Sequence, residues 1–331
     1  MFKQNREGGD RHIFTHCLPI VKIIKIIRRI IPEPVLPKRR GRPYVYSLPI
    51  MMSCFVIMVA KNLSVRGLYD FLVRNDPDAE EIRDTIAFPD GTIPNRRTFD
   101  RRLAQWRESA FQYIQEATIW FVIHRCIGIA RLAVDRKMFA SFGKLWHAKD
   151  KKQGRIPPKV RNIDTTASWQ KSRYCGWVFG HGLDVFVTIG KLVLPVIASA
   201  SSLSIHENIK AKELVRNLPY VQQGALGADS GYQDQELAQY ASETGRTLQA
   251  ATRRGKIPKG KTYRRRKVTV EPFFERLMLA FPQLRYKLPL KGERRVAGYL
   301  LTAIFAYQCA VMLNVLTKKP PLEVTHFFRF L

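Results

Sequence analysis

The chain has 331 residues, 46% of them apolar, which is enough for a sizeable core and excludes wholesale disorder. Its 56 Lys and Arg stand against 27 Asp and Glu, a net charge of +29 that opposes compaction unless a polyanion offsets it. Length predicts about two domains, and the charge points to nucleic acid first and an anionic membrane surface second. The five cysteines (Cys17, Cys54, Cys126, Cys175 and Cys309) include no pair two to four residues apart. No zinc knuckle or redox pair is predicted, and reduced thiols point to the cytosol.

Residues 1–36 form a basic amphipathic segment. Ile20, Ile23, Ile24, Ile27, Ile30 and Ile31 recur at helical spacing, with Lys22, Lys25, Arg28 and Arg29 largely between them and Pro32 ending the run. Such a helix suits a membrane surface, DNA phosphates or the capping of a following domain. Arg39, Arg40 and Arg42 follow in a short Arg-Gly-Arg-Pro context that suits an A·T minor groove.

Residues 37–125 read as an all-helical DNA-binding region of helix-turn-helix type. Ser47 and Ser64 are positioned to cap two helices, and Pro94-Asn95 opens a third. On that third helix Phe99, Leu103 and Trp106 face inward. Arg96, Arg97, Arg101 and Arg102 are left for solvent or phosphate.

Residues 126–318 change character. Strands are predicted over 129–134, 176–188, 192–199, 224–228 and 247–251, and helices over 205–218 and 233–244, from about 270, and from about 293. This order gives an α/β fold, a mixed sheet with flanking helices. The apolar stretch 48–60 is too short for a membrane span, which needs about 20 residues. The uncharged stretch 296–316 is long enough. Thr302, Gln308 and Asn314 interrupt it, so we read it as a core helix and predict no membrane partner. Residues 319–331 form a tail.

The scarce acids sit at informative places. Asp135 and Asp229 each follow an apolar strand, where ligand sites form in such sheets. Glu271 is expected to begin a helix, with Pro272 in its first turn and Glu275 one turn on. Three acids share a pocket cheaply only with a divalent cation, and carboxylates with water and phosphate oxygens are the set Mg²⁺ takes. Taken singly, each acid is equally a strand-end turn residue or a helix cap. The segment 246–267 holds 10 basic residues and no acid, among them Arg253, Arg254, Arg264, Arg265, Arg266 and Lys267. It reads as a phosphate-binding stretch. His147, beside Trp146, is a further DNA-contact candidate, since an aromatic face can stack on an exposed base.

Several stretches resemble the DDE transposases of bacterial insertion sequences. They are Leu132-Ala133-Val134-Asp135, Gly176-Trp177-Val178-Phe179-Gly180-His181-Gly182, Gly227-Ala228-Asp229-Ser230-Gly231-Tyr232 and Val270-Glu271-Pro272-Phe273-Phe274-Glu275-Arg276-Leu277. The run at 96–103 is similar to the DNA-binding helix of these proteins. The resemblance spans roughly 37–316. It implies a ribonuclease-H-like core in which Asp135, Asp229 and Glu271 hold two Mg²⁺ ions, with Mn²⁺ able to substitute. It further implies cleavage and strand transfer of element ends, double-stranded DNA (terminal inverted repeats and target) as partner, a homodimer in the synaptic complex, and a place on the nucleoid in the cytoplasm. Lys267, four before the Glu, fits the family pattern. Arg136-Lys137-Met138 after the first Asp and Met278 seven after the Glu depart from it. Those departures keep a catalytically impaired DNA-binding relic, a repressor of the element and a simple metal-dependent nuclease as alternatives.

Overall fold

The structure is a computed structural model that describes residues 18–34, 45–156, 161–172, 176–251 and 260–328. The Ile-rich segment forms helix α1, Pro19–Arg29, and its apolar stripe is turned inward: Ile20, Ile23, Ile24 and Ile27 are at most 1% exposed. Helices α2 (Leu48–Ala60), α3 (Val65–Leu72) and α4 (Pro77–Ile86) follow. Helix α1 packs on α2, on α4 and on the last long helix, so it acts as a cap over the helical core. Ser64 and Asp76 accept the backbone N–H groups of Gly67 and Ala79 at 3.1 and 2.9 Å, which satisfies donors that a helix start leaves orphaned. Ser47 precedes α2 without making such a bond.

Helix α5 (Arg96–Leu103) starts at Asn95, whose side chain accepts from Thr98 N at 2.8 Å. A two-residue break separates it from α6 (Trp106–Ile123). Phe99, Leu103 and Trp106 are buried, as their spacing predicts.

A mixed six-stranded sheet with flanking helices forms the centre. Its strands are β1 (Arg131–Ala140), β2 (Ser168–Ser172), β3 (Gly176–Thr188), β4 (Pro195–Ser202), β5 (Gly224–Ala228) and β6 (Arg246–Ala250). The order is β2-β3-β1-β5-β6, with β4 also paired to β3. The β1–β3, β2–β3 and β3–β4 pairs are antiparallel, and β1–β5 and β5–β6 are parallel. The short helix α7 (Ala148–Lys152) lies between β1 and β2. Helices α8 (Glu207–Arg216) and α9 (Gln235–Glu243) cover one face, joined in one apolar cluster to Leu132, Val134, Phe186 and Leu226. Helices α10 (Lys261–Ala280) and α11 (Glu293–Leu316) cover the other, with Ala133, Leu183 and Val185.

Two elements differ from the sequence reading. Strand β1 runs through Asp135 to Ala140, because residues 132–140 pair continuously with 188–180 of β3. Helix α10 begins nine residues before Val270, and Pro272 lies inside it. A proline there removes the hydrogen bond to the carbonyl four residues back, that of Val268. Val268 is 71% exposed, so water can satisfy that carbonyl.

By length and composition α11 could cross a membrane, yet the whole of its most apolar window is buried within the protein. It packs on α6, β4, α2 and α1. Each polar interruption donates a hydrogen bond internally, although Gln308 Oε1 and Asn314 Oδ1 find no partner among the described residues. Thr302 Oγ1 donates to Gly298 O at 2.7 Å, Gln308 Nε2 to Pro195 O at 2.8 Å, and Asn314 Nδ2 to Glu323 O at 2.9 Å. Buried polar groups with such partners belong to a packed interior rather than a lipid-facing surface.

Candidate active site

The parallel register of β1 and β5 sets the site. Ala133 pairs with Gly227. Two residues on, Asp135 and Asp229 therefore stand level on neighbouring strands, whose separation is about 4.8 Å. Asp229 falls just past the end of β5, where its Oδ1 accepts Gly231 N at 2.8 Å and opens the 3₁₀ turn Ser230–Tyr232. Asp135 shares the phase of Ala133, so it points toward α10. There Arg266 Nη1 lies 3.1 Å from Asp135 Oδ2, while Arg136 N donates to Asp135 Oδ1 at 2.9 Å.

Burial pushes the Asp135 carboxyl up to about 6, with Arg266 pulling it down and the Asp229 charge pushing it further up. Glu207, in the first turn of α8, is pushed up to about 7 by burial, with the Asp229 charge the next cause. These carboxylates therefore feel one another.

Arg136 shares the phase of Leu132 and Val134 and points to the opposite face, toward α8. Its Nε and Nη2 donate to Asp184 Oδ1 and Oδ2 at 2.8 and 2.9 Å, and Nη1 donates to Ile205 O at 2.6 Å. Both side chains are at most 1% exposed. The sequence pattern suggests extra positive charge beside a metal site. The structure neutralises that charge inside the sheet, so Arg136 grips no phosphate.

Glu271 is not brought to the aspartate pair. It is exposed, mid-helix, and five residues beyond Arg266, which is roughly 140° further round α10. Among the described residues no three His, Cys, Asp or Glu are grouped closely enough to hold a metal ion. Glu275 is exposed as well. Mg²⁺ is commonly held by one or two carboxylates plus substrate phosphates and waters. The adjacent, partly desolvated Asp135 and Asp229 fit that pattern as a pair.

The basic candidates divide into groups. Arg96, Arg97 and Arg101 are exposed on α5, and Arg264, Arg265 and Lys267 are exposed on α10. Arg102 departs from expectation: it is 5% exposed, with its guanidinium 6.0 Å from the Trp106 ring, because it falls on the buried side of α5 with Phe99. Arg266 is partnered with Asp135 rather than turned to solvent. His147 is exposed at the start of α7, while Trp146 is buried and donates Nε1 to Arg155 O at 3.0 Å. Arg39, Arg40, Arg42, Arg253 and Arg254 lie outside the described residues.

Two further acids are interior. One is Asp184. The other is Asp164, which lies 2.9 Å from His181 Nε2 and accepts from Ser141 Oγ at 3.0 Å and Gly292 N at 3.2 Å. It ties β1, β3 and the start of α11 together. Glu207 was missed as a neighbour of the pair. Its only signal is an acid in the first turn of the helix that follows β4.

No family model and no curated protein sequence matches the chain. Among solved structures, it is similar to a piggyBac transposase synaptic complex with hairpin DNA, determined by cryo-electron microscopy. That likeness covers 96% of this chain and 80% of the other, at 11% identity and a TM-score of 0.44.

Proposed function

We propose that the chain is a DDE-type transposase of the bacterial insertion-sequence kind, which cuts and joins the ends of its element with Mg²⁺. The observation that carries this reading is the level placement of Asp135 and Asp229 on adjacent parallel strands, beside a helix bearing four consecutive basic residues, Arg264 to Lys267. Asp135 and Asp229 would hold Mg²⁺, or Mn²⁺ in its place. When bound, such ions activate an attacking oxygen and stabilise the leaving one at a phosphodiester. Arg266 keeps Asp135 partnered in the absence of a cation. Arg96, Arg97, Arg101, Arg264, Arg265 and Lys267 would grip the backbone of double-stranded DNA, both terminal repeat and target. Holding two ends together calls for two copies of the chain, and the work would take place on the nucleoid. Met278, and the lack of a third acid at ligand spacing among the described residues, favour a second reading, a catalytically impaired DNA-binding relic or repressor.

Two results test the pair and the grip. A cation must displace the proton that Asp135 holds below about pH 6. Mn²⁺ affinity is therefore expected to be flat above pH 7 and to fall steadily from pH 6 to pH 5, as read by titration at each pH. An affinity unchanged down to pH 5 contradicts the role of Asp135. For DNA, Arg96→Ala, Arg97→Ala and Arg101→Ala are each expected to lower the slope of log affinity against log salt by about one. Arg102→Ala should leave the slope alone and lower stability instead, because Arg102 is packed inside α5. Equal slopes for all four variants would remove α5 from the DNA interface.

A further inference from the structure

Of the five tryptophans, Trp177 alone is turned to solvent, 65% exposed at the start of β3. Tryptophan is on average a largely buried residue, so this exposure asks for a reason. Trp177 shares the phase of Leu183 and Val185, which places it on the face of the sheet that carries Asp135. Across the β2–β3 pair it stands opposite Lys171, which is also exposed. The next pair on that face is Trp169 with Phe179, whose rings lie 5.3 Å apart and pack with Trp146. Trp177 therefore stands at the rim of a fixed aromatic base. Tyr286, 75% exposed, comes to the same end of the sheet, because Leu288 N donates to Ala140 O at 3.1 Å and Lys287 Nζ to Gly143 O at 2.9 Å. Ala140 in turn pairs with Gly180 of β3. Lys144 and Arg161 are exposed there too, where Lys144 N donates to Asn162 O at 3.3 Å. Residues 141–172 hold eight Lys and Arg and two acids. Neither acid is free: Asp150 is paired with Arg155 at 2.9 Å, and Asp164 is buried with His181.

Resting on the DNA-binding reading above, we propose that Trp177 and Tyr286, with Lys144, Arg161, Lys171 and Lys287, form a binding surface for single-stranded DNA. An exposed ring gives any base a face to stack on, and the surrounding cations follow the phosphates, so a strand is held without regard to sequence. In a duplex the base faces are already stacked on one another, so the surface selects unpaired strand over duplex. Val185 stands opposite Asp135, and Trp177 lies eight positions back along β3, roughly 27 Å away. The surface is therefore separate from the aspartate pair. The strand it suits is one frayed or displaced beside a cut end, not the phosphodiester under attack. Exposed apolar side chains also mark protein contacts, so an interface between two copies of the chain is the competing account.

Binding to the full chain in EDTA, read by fluorescence anisotropy with a labelled oligothymidine strand and separately with a labelled duplex, separates these accounts. Trp177→Ala and Tyr286→Ala are each expected to weaken the single strand about fivefold or more, and to change duplex affinity less than about twofold. Trp177→Phe keeps a ring and should retain most of the single-strand affinity. Lys171→Ala should lower the single-strand slope of log affinity against log salt by about 0.7. All four positions are exposed or lose little packing, so thermal melting should match wild type. If the wild type binds duplex but not the strand, or binds both without either ring substitution weakening the strand, the surface is overturned and the DNA-binding reading stands. Equal weakening of strand and duplex overturns it as well. So does a shift from dimer to monomer in sedimentation with strand affinity unchanged, which would assign the patch to a contact between copies. If the wild type binds neither strand nor duplex, the DNA-binding reading falls with it.

Discussion

Asp135→Asn and Asp229→Asn are each expected to lower Mg²⁺-dependent cleavage of element ends by on the order of 10³-fold or more, while leaving DNA binding intact. The reason lies in the register. The two carboxylates stand level across one parallel strand pair, so neither has a spare neighbour on its own strand to replace it. Each substitution keeps size and removes one negative charge, and at Asp135, whose two oxygens accept from Arg136 N and Arg266 Nη1, it also exchanges one acceptor for a donor. Without metal, that change lowers repulsion toward a phosphate backbone, so affinity in EDTA should be equal to or tighter than wild type. Cleavage assays paired with binding isotherms in EDTA check both halves. Loss of binding together with cleavage would mean that the substitutions disturb the fold rather than the chemistry.

The largest stability effect is expected at the Arg136–Asp184 pair. Breaking a buried ion pair from one side costs about 3–5 kcal/mol, because the other charge is left alone in the interior. The two sides are not equivalent. Asp184→Leu strands a guanidinium that cannot give up its proton, and it should show the full loss in urea unfolding. Arg136→Met strands a carboxyl that can take one up. Its folded-state pKa then lies well above the unfolded value, so the unfavourable term vanishes as pH falls below the unfolded value. The Arg136→Met deficit should therefore shrink between pH 7 and pH 4, while the Asp184→Leu deficit does not. The double variant should recover most of the loss, since well-packed apolar replacements of buried ion pairs are often near neutral. Equal, pH-independent losses for both single variants would contradict this account.

Much of the sheet is legible in the sequence because period-two burial and strand-end acids are local signals. The strand over 224–228 with Asp229 after it matches β5, and the reading of 176–188 matches β3. What was not legible depends on distance along the chain. The burial of Arg136 follows from Asp184, 48 residues away, and that of Arg102 from how α5 lies on α6. Strand β2 has only five residues, SWQKS, of which Trp169 alone is apolar, so no apolar alternation marks it. The start of α10 was hidden by Pro272, which looks like a first-turn residue and is instead tolerated where Val268 is open to water. That shift turns Glu271 from a helix-start acid into an exposed mid-helix one and brings Arg266 to Asp135. The closeness of Glu207 to Asp229 depends on the packing of two separate elements, which no spacing in the sequence encodes.

The most direct test uses a supercoiled plasmid that carries the DNA flanking the gene, incubated with the full wild-type chain in Mg²⁺, in Mn²⁺ or in EDTA. The account predicts nicks that map to the element ends, leave 3′-hydroxyl termini, and appear with Mg²⁺ or Mn²⁺ but not with EDTA. Protein that binds those ends and leaves them uncut in both metals would contradict it.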